Sequence, residues 1–318
     1  MSVLDNAILV VGSVALDTVH TPAGEGRECL GGSAVYFSLA SSLFCPVRVV
    51  GVVGEDFPDA HRDLLRSRRI DIDGLKTLAG KTFRWTGRYG EDMANAETLS
   101  TDLNVFERFK PELDDIHRTT PYVFLANIDP ELQFDVLAQA ERPKLVACDT
   151  MNFCIDRKRP ALKELLGRVD ILFVNEAEAK SLSGQSNTLS SARALAGWGP
   201  SVVVVKKGED GCLLWARGAA YPLPAFPVPR LQDPTGAGDS FAGGFLGYLA
   251  SVGGGLSDIA SLRRAALVGS VMASFTVEAF GSRRLEGLAL GEVRERCDAF
   301  ARLLQVEPYA VPGAVFPN

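Results

Sequence analysis

The stretch Asp233-Pro234-Thr235-Gly236-Ala237-Gly238-Asp239-Ser240-Phe241-Ala242-Gly243-Gly244-Phe245 is a glycine-punctuated loop that runs straight into an apolar helix. Glycines at 236 and 238 open main-chain conformations closed to other residues and let the backbone approach a ligand closely. Free N–H groups and the helix dipole at such a junction attract negative charge, so the segment reads as an anion hole. Asp239 stands at its mouth, where a carboxylate beside a bound phosphate needs a task of its own. Taking the proton of an attacking alcohol is such a task, with the main chain of Gly236, Ala237 and Gly238 stabilising the moving phosphoryl group. The competing role is structural, because aspartate is a favoured N-cap and Asp239 could simply cap a helix from Phe241 onward.

Outward from this loop, short apolar runs alternate with helical patterns. Ile8 to Val14, Val47 to Val53, Tyr122 to Ala126, Leu145 to Cys148, Ile171 to Val174 and Val202 to Val205 read as buried strands. Helices are expected at Ser33 to Phe44, Pro58 to Ser67, Glu131 to Ala140, Ala161 to Arg168, Glu176 to Ser183 and Ser190 to Trp198. Such continuous Val/Ile/Leu runs suit a parallel sheet covered on both faces, which makes the class α/β with a doubly wound, mostly parallel central sheet flanked by helices. Thr82 to Tyr89 and Glu97 to Phe109 break the alternation as polar, strand-like stretches and are expected to form a small sheet outside the core. After Asp239 the pattern is helical almost to the end, and Tyr221 to Pro229 reads as a proline-rich connection.

A chain of 318 residues with 47% hydrophobic composition can bury one large core. Its net charge of -6 is spread along the sequence and offers no basic stripe, which argues against nucleic-acid binding. The start at Met1 to Asn6 lacks the basic region of a secretion signal, and the apolar run from Ala7 to Leu16 is too short to span a bilayer, so a cytoplasmic location is expected. Six cysteines without CxxC spacing read as reduced, buried thiols, and His20, His61 and His117 have no paired metal-ligand spacing. Gly74 to Thr82 looks like a P-loop, but five residues separate its glycines where that motif needs four, and no clear strand leads into it. No GxGxxG follows the first strand and no GxSxG elbow occurs, so dinucleotide and hydrolase readings lose their support.

With these residues in view, the chain resembles the ribokinase-like, or PfkB, family of carbohydrate and nucleoside kinases over nearly its whole length. Asp233 to Phe241 is similar to that family's C-terminal signature, and Cys29-Leu30-Gly31-Gly32-Ser33-Ala34 resembles its N-terminal one. The resemblance implies a single kinase domain over 1–318, with a small β lid formed by about 82–109 plus part of 15–31. It implies transfer of the γ-phosphate of ATP to a hydroxyl of a small carbohydrate, the alternatives being a ribonucleoside kinase of the same fold or a catalytically silent sensor. Asp17 resembles the aspartate that binds substrate hydroxyls, and Gly31 and Gly32 match the pair where the lid hinges and substrate approaches the main chain, with Ser33 and Tyr36 expected to join them in binding substrate. Asn175 and Glu178 are similar to an NxxE motif that organises magnesium, its waters and the nucleotide phosphates. Lys207, Gly208 and Gly211 match the region that cradles ATP, where Lys206 or Lys207 could reach a phosphate. Asp233 and Thr235, with backbone near Ala279 and Gly281, resemble positions that bind an activating monovalent cation such as K+. The implied partners are a sugar or nucleoside and a second copy of the chain meeting through the lid.

Ribokinases proper commonly carry Gly-Gly-Lys-Gly-Ala-Asn where this chain has Gly31-Gly32-Ser33-Ala34-Val35-Tyr36. The difference weakens ribose itself as the acceptor. Tyr36, with Phe83 and Trp85 of the expected lid, could instead form an aromatic wall for a nucleoside base, packing of the lid being the competing role.

Overall fold

A computed structural model describes residues 6–305; Met1 to Asp5, read above for a secretion signal, and residues 306–318 lie outside the described residues. Thirteen strands are described, in chain order β1 (Ile8–Val11), β2 (Ala15–Thr21), β3 (Gly24–Gly31), β4 (Val47–Gly54), β5 (Ile70–Leu78), β6 (Phe83–Tyr89), β7 (Ala96–Asp102), β8 (Tyr122–Leu125), β9 (Leu145–Cys148), β10 (Ile171–Asn175), β11 (Val202–Lys206), β12 (Cys212–Ala216) and β13 (Ala219–Leu223). Nine of them make one sheet in the order β13-β12-β11-β10-β9-β8-β1-β4-β5. The seven from β11 to β5 run parallel, while β12 and β13 add an antiparallel edge.

Both faces of this sheet are covered, and the pleat decides which residue meets which layer. Ile8, Val10, Phe124, Ala147, Phe173, Val202 and Val204 belong to one apolar cluster, with Phe37, Phe241 and Phe245 from helices Ser33–Ser41 and Ala237–Ser251. Leu9, Val11, Val123, Val146, Leu172, Val203 and Val205 belong to the other, against helices that include Arg159–Leu166 and Glu176–Ser183. The first layer is tied by rings. Phe37 stacks on Phe124 at 4.1 Å, and Phe173 meets Phe124 and Phe245 edge-on at 6.2 and 5.3 Å. No helix among the described residues is long and apolar enough to cross a membrane.

The remaining four strands form a separate sheet, β3-β2-β6-β7, inserted after β1 and after β5. Both insertions leave the central sheet at the C-terminal ends of its strands, where parallel α/β sheets bind ligands.

The structure departs from the sequence reading in several places. Ile70–Leu78 is a strand that runs through Gly74, although no clear strand is expected to lead into the Gly74 to Thr82 stretch. A Cβ on Gly74 would lie 2.6 Å from the Val49 carbonyl oxygen, so the tight β4–β5 pairing is what requires glycine there. The expected proline-rich connection begins inside β13, where Pro222 is tolerated because β13 is a sheet edge. The helix after the glycine loop starts at Ala237 rather than Phe241, with Gly236 at its N-cap, so Asp239 lies within the first turn and is not the cap.

Candidate active site

Three adjacent parallel strands deliver polar residues to one edge of the sheet. Asp149 directly follows β9, Asn175 ends β10 and Lys206 ends β11, with Asn175 and Lys206 paired in register. All three have the parity of Ala147, Phe173 and Val204, which places them on the face covered by the helix that carries Asp239.

That helix begins in a turn only glycine can make. Gly236 has φ +75°, and a Cβ there would lie 2.3 Å from the Tyr36 ring. The Ala237 N–H donates to the Pro234 carbonyl at 3.2 Å, while the amides of Gly238 and Asp239 belong to the first turn, whose N–H groups have no acceptor within the helix. Burial lifts the Asp239 carboxyl to about 7; Asp149 and Glu178 add to the rise and Lys206 opposes it.

Asn175 and Glu178 form a reciprocal capping box. The Glu178 N–H donates to Asn175 Oδ1 at 2.8 Å, and the Asn175 N–H donates to Glu178 Oε2 at 3.0 Å. Glu178 is nonetheless 7% exposed, and burial with the nearby Asp149 charge raises its carboxyl to about 7. Asp149, Glu178 and Asp239 therefore share a pocket with the Lys206 ammonium, which is bonded to Asp149 Oδ2. Of the two lysines left open by the sequence, Lys206 is the one turned toward the glycine loop. Lys207 lies 3.8 Å from Asp210 Oδ2 and lines a groove of about 460 Å³ with Thr188, Cys212 and Pro222. Gly208 and Gly211, both at positive φ, close the β11–β12 connection beside it.

The second cluster lies where the small sheet meets the core. Asp17 on β2 is 4% exposed, and its Oδ2 accepts the Gly32 N–H at 3.3 Å. Gly31 is obligatory because a Cβ there would come within 2.0 Å of that same oxygen. Burial raises Asp17 to about 7 against the Gly32 hydrogen bond, and the charges of Asp233 and Asp239 push it the same way. Ser33 is engaged elsewhere: its hydroxyl lies 3.1 Å from Ser13 Oγ, which also accepts the Ser33 N–H at 3.0 Å, pinning the turn to the end of β1. Asp233 is fully buried, with Oδ1 accepting the Thr235 N–H and Oδ2 the Gly281 N–H, each at 2.9 Å. Thr235 Oγ1 in turn donates to Tyr89 Oη at 3.3 Å, joining the end of β6 to the glycine loop.

Of the expected aromatic wall, Phe83 and Trp85 share one face of the small sheet while Tyr36 is packed into the core. Tyr36 is 1% exposed beneath Gly236, and Phe83 stacks on Phe106 at 5.3 Å. Trp85 pairs in register with Asp17 and so shares its face of the small sheet, with the indole Nε1 donating to Thr98 Oγ1 at 3.2 Å. Tyr89, Asp149 and Lys206 are site residues that the sequence reading did not single out or did not resolve. What distinguishes them is strand parity, each standing an even number of residues from a residue on the site's face, and only the assembled sheet shows which face that is.

No three His, Cys, Asp or Glu side chains among the described residues converge on one point as a metal cage. The donor set is instead the buried Asp149 and Glu178 and the half-buried Asp239 around one lysine, an excess of negative charge that suits a divalent ion held largely by waters and nucleotide oxygens.

Comparison with known proteins shows the family. Residues 5–286 match the model of the pfkB family carbohydrate kinases. The chain is 31% identical to the cytidine kinase of Thermococcus kodakarensis over 248 residues, covering 76% of this chain and 88% of that protein. It is 27% identical to a nucleoside kinase of Methanothermobacter thermautotrophicus over 313 residues, 88% and 92% of the two chains. Its similarity to a fructokinase of Klebsiella pneumoniae is 25% over 287 residues, 79% and 86% of the two. Among solved structures, the Methanocaldococcus jannaschii nucleoside kinase superposes with a TM-score of 0.75 at 23% identity, covering 92% of this chain and 98% of that one, a likeness of fold.

Proposed function

The chain belongs to the pfkB family of carbohydrate kinases, and from that premise we propose that it transfers the γ-phosphate of ATP to a hydroxyl of a ribonucleoside, with Asp239 as the base. The observation that carries the chemistry is Asp239 itself. It is a half-buried carboxyl in the first turn of a helix, beside main-chain N–H groups that have no acceptor within the helix, poised near 7 where a general base works well at neutral pH. Asp17 is coupled to it electrostatically and is placed to accept hydrogen bonds from acceptor hydroxyls.

In this reading the acceptor hydroxyl gives its proton to Asp239 while its oxygen bonds to the γ-phosphorus, and the bond from that phosphorus to the β,γ-bridging oxygen breaks to release ADP. The Gly238 and Asp239 amides donate to the transferred phosphoryl oxygens. Magnesium, when bound, neutralises charge on the phosphates, and Glu178 would hold its waters. Lys207 lines the groove that would take the rest of the nucleotide, and Gly208 and Gly211 turn the chain beside it. Asp233 and Thr235, with the Gly281 backbone, are proposed to shape a monovalent-cation site.

The nucleoside acceptor rests on the cytidine kinase likeness and on Trp85, whose place beside Asp17 suits stacking against a base. A free sugar is the second reading, favoured by the fructokinase likeness. An ATP-consumption screen across pentoses, hexoses, sugar phosphates and ribonucleosides, with magnesium and potassium present, separates them. Turnover confined to free sugars would overturn the nucleoside acceptor, and no turnover with any alcohol would overturn the kinase reading.

Two further points belong to the same proposal. The small sheet acts as a lid hinged at Gly31 and Gly32, and its edge strand β7, exposed at every residue, supports a homodimer joined through the lids. All six cysteines are unpaired, which suits a cytoplasmic enzyme.

A further inference from the structure

Lys206 is a largely buried cation for which packing gives no reason. Its side chain is 16% exposed and that of its partner Asp149 is 5% exposed. A buried ion pair is weak evidence of stabilisation, since well-packed apolar side chains of similar volume often serve a core as well or better. Asp149 is also held firmly in place. Its Oδ1 accepts the Thr150 N–H at 2.9 Å, and its carbonyl accepts from the buried Gln133 side chain at 3.2 Å. The same Gln133 amide bonds the Ala126 carbonyl at 2.9 Å, so the chain leaving β8 is tied to the chain leaving β9.

The ammonium faces the glycine turn. Lys206 Nζ lies 3.0 Å from the point a Cβ on Gly238 would occupy, so any side chain at 238 would stand in contact with the charge. Asp149 takes one of the three N–H donors of this group, which leaves it able to bond further acceptors at the turn.

We propose that Lys206, steered by Asp149, donates hydrogen bonds to the phosphoryl group as it passes from nucleotide to acceptor, with Asp149 a positioning residue that does not itself touch substrate. The inference rests on the reading of the Gly236–Asp239 turn as the phosphate site, and it names a contact of that site. Bond making and breaking are those given above. Lys206 neither gains nor loses a proton overall; its charge offsets the negative charge that three nearby carboxylates would otherwise set against the phosphates.

The groups around Asp239 give the test its sign. Asp149, Lys206 and Glu178 face it from the ends of β9 and β11 and from helix Glu176–Ser183, and Asp17, Tyr36 and Tyr89 are coupled to it from the lid side and the neighbouring helix. Removing the lysine charge moves the Asp239 titration upward, and removing the Asp149 charge moves it downward.

The experiment compares Lys206→Met, Lys206→Arg, Asp149→Asn and Asp239→Asn in the full chain, measuring kcat, acceptor KM and the acid limb of kcat against pH. ADP affinity is measured by calorimetry without acceptor. Lys206→Met should lose about 10²- to 10³-fold in kcat with acceptor KM unchanged. Its acid limb should move to higher pH, and ADP binding should fall far less than kcat. Lys206→Arg should regain part of the loss because the charge returns, and Asp149→Asn should move the limb to lower pH. Near-normal kcat with an unmoved limb in Lys206→Met would overturn the inference, as would a loss that arginine leaves untouched and that appears equally in thermal stability. Should Lys206→Met fail to fold, the limb of Asp149→Asn and the recovery in Lys206→Arg still decide. Failure of the base reading appears separately, as turnover kept in Asp239→Asn, whereas an inactive Asp239→Asn beside an active Lys206→Met rejects the lysine alone.

Discussion

Replacing Asp239 by asparagine tests the proposed chemistry and the electrostatics of its pocket in one variant. The side chain keeps its shape, and since Gly236 rather than Asp239 caps the helix, no cap is lost. As a base, however, the amide is useless, and loss of a general base costs about 10²- to 10⁴-fold in rate. Stability should move the other way. The carboxyl is lifted from 3.8 to about 7, so the folded state binds its proton more tightly than the unfolded state does. The stability linked to this group is therefore fully present below the unfolded value near 4 and is lost as pH rises through about 7. Roughly 3 pH units at 1.36 kcal/mol per unit sets a ceiling of ~4 kcal/mol on the cost of the charged form. Asp149 and Glu178 contribute to that cost and share in its relief, so a gain of about 2 kcal/mol at pH 8 is the working expectation.

The assay is steady-state turnover with nucleotide titration, together with urea unfolding at pH 8 and pH 4 on both proteins. The variant should be slower by at least about 10²-fold, bind ADP as well as or better than the parent, and be more stable at pH 8 but not at pH 4. Near-normal turnover would refute the base. An unchanged midpoint at pH 8 would refute the claim that a desolvated charge is held there at a cost.

Asp17→Ala should raise acceptor KM with little effect on ADP affinity, because Asp17 lies in the lid cluster and not beside Lys206; loss of nucleotide binding with acceptor affinity kept would reverse the assignment. Hydrogen exchange across residues 82–109 should slow when acceptor is added, and identical exchange with and without it would count against a closing lid. Gly236→Ala should lose turnover and at least about 1–2 kcal/mol of stability, since φ +75° is closed to alanine and the new methyl meets the Tyr36 ring; a variant melting with the parent would show the turn is not fixed as described. Phe173→Ala should cost about 3–5 kcal/mol in urea unfolding and leave acceptor KM unchanged in the folded fraction, as its ring packs against Phe124, Phe241 and Phe245 in the apolar layer.

Much of the fold was legible because the parallel strands are short, fully buried and separated by well-marked helices. Leu145 to Cys148 and Glu176 to Ser183 fall at the residues expected, and the other parallel strands read from their apolar runs differ only at their ends. The strands of the central sheet that escaped notice are its edges, β5 and β13, and β12 next to the latter. β5 carries Asp71, Asp73 and Lys76 on its outward positions, and β12 and β13 hold a tryptophan, a tyrosine and a proline in a pattern that hydrophobic runs do not mark. An edge strand is half solvated, so its sequence alternates and resembles a loop when glycine or proline interrupts it.

The site was legible where a residue type is rare in its setting and illegible where only parity distinguishes neighbours. Glycines at 31, 32, 236 and 238 beside aspartates announce close approaches of backbone to charge, and the structure brings Asp17 onto Gly31 and Lys206 onto Gly238. Lys206 and Lys207 could not be separated in this way, because β11 is buried on both faces and Val202 to Val205 carries no polar residue to reveal which positions face which layer. Only the assembled sheet supplies that phase. Phe173 and Val204 lie under the helix of Asp239, so Asn175 and Lys206, two residues on, must emerge on the same side, and Lys207 on the other. The pleat that sorts valines between two apolar layers thus also sorts two adjacent lysines between the phosphate turn and the outer groove. A one-residue shift in the register of β11 would exchange them, and for that reason the packing of an apolar strand fixes the electrostatics of the site at its end.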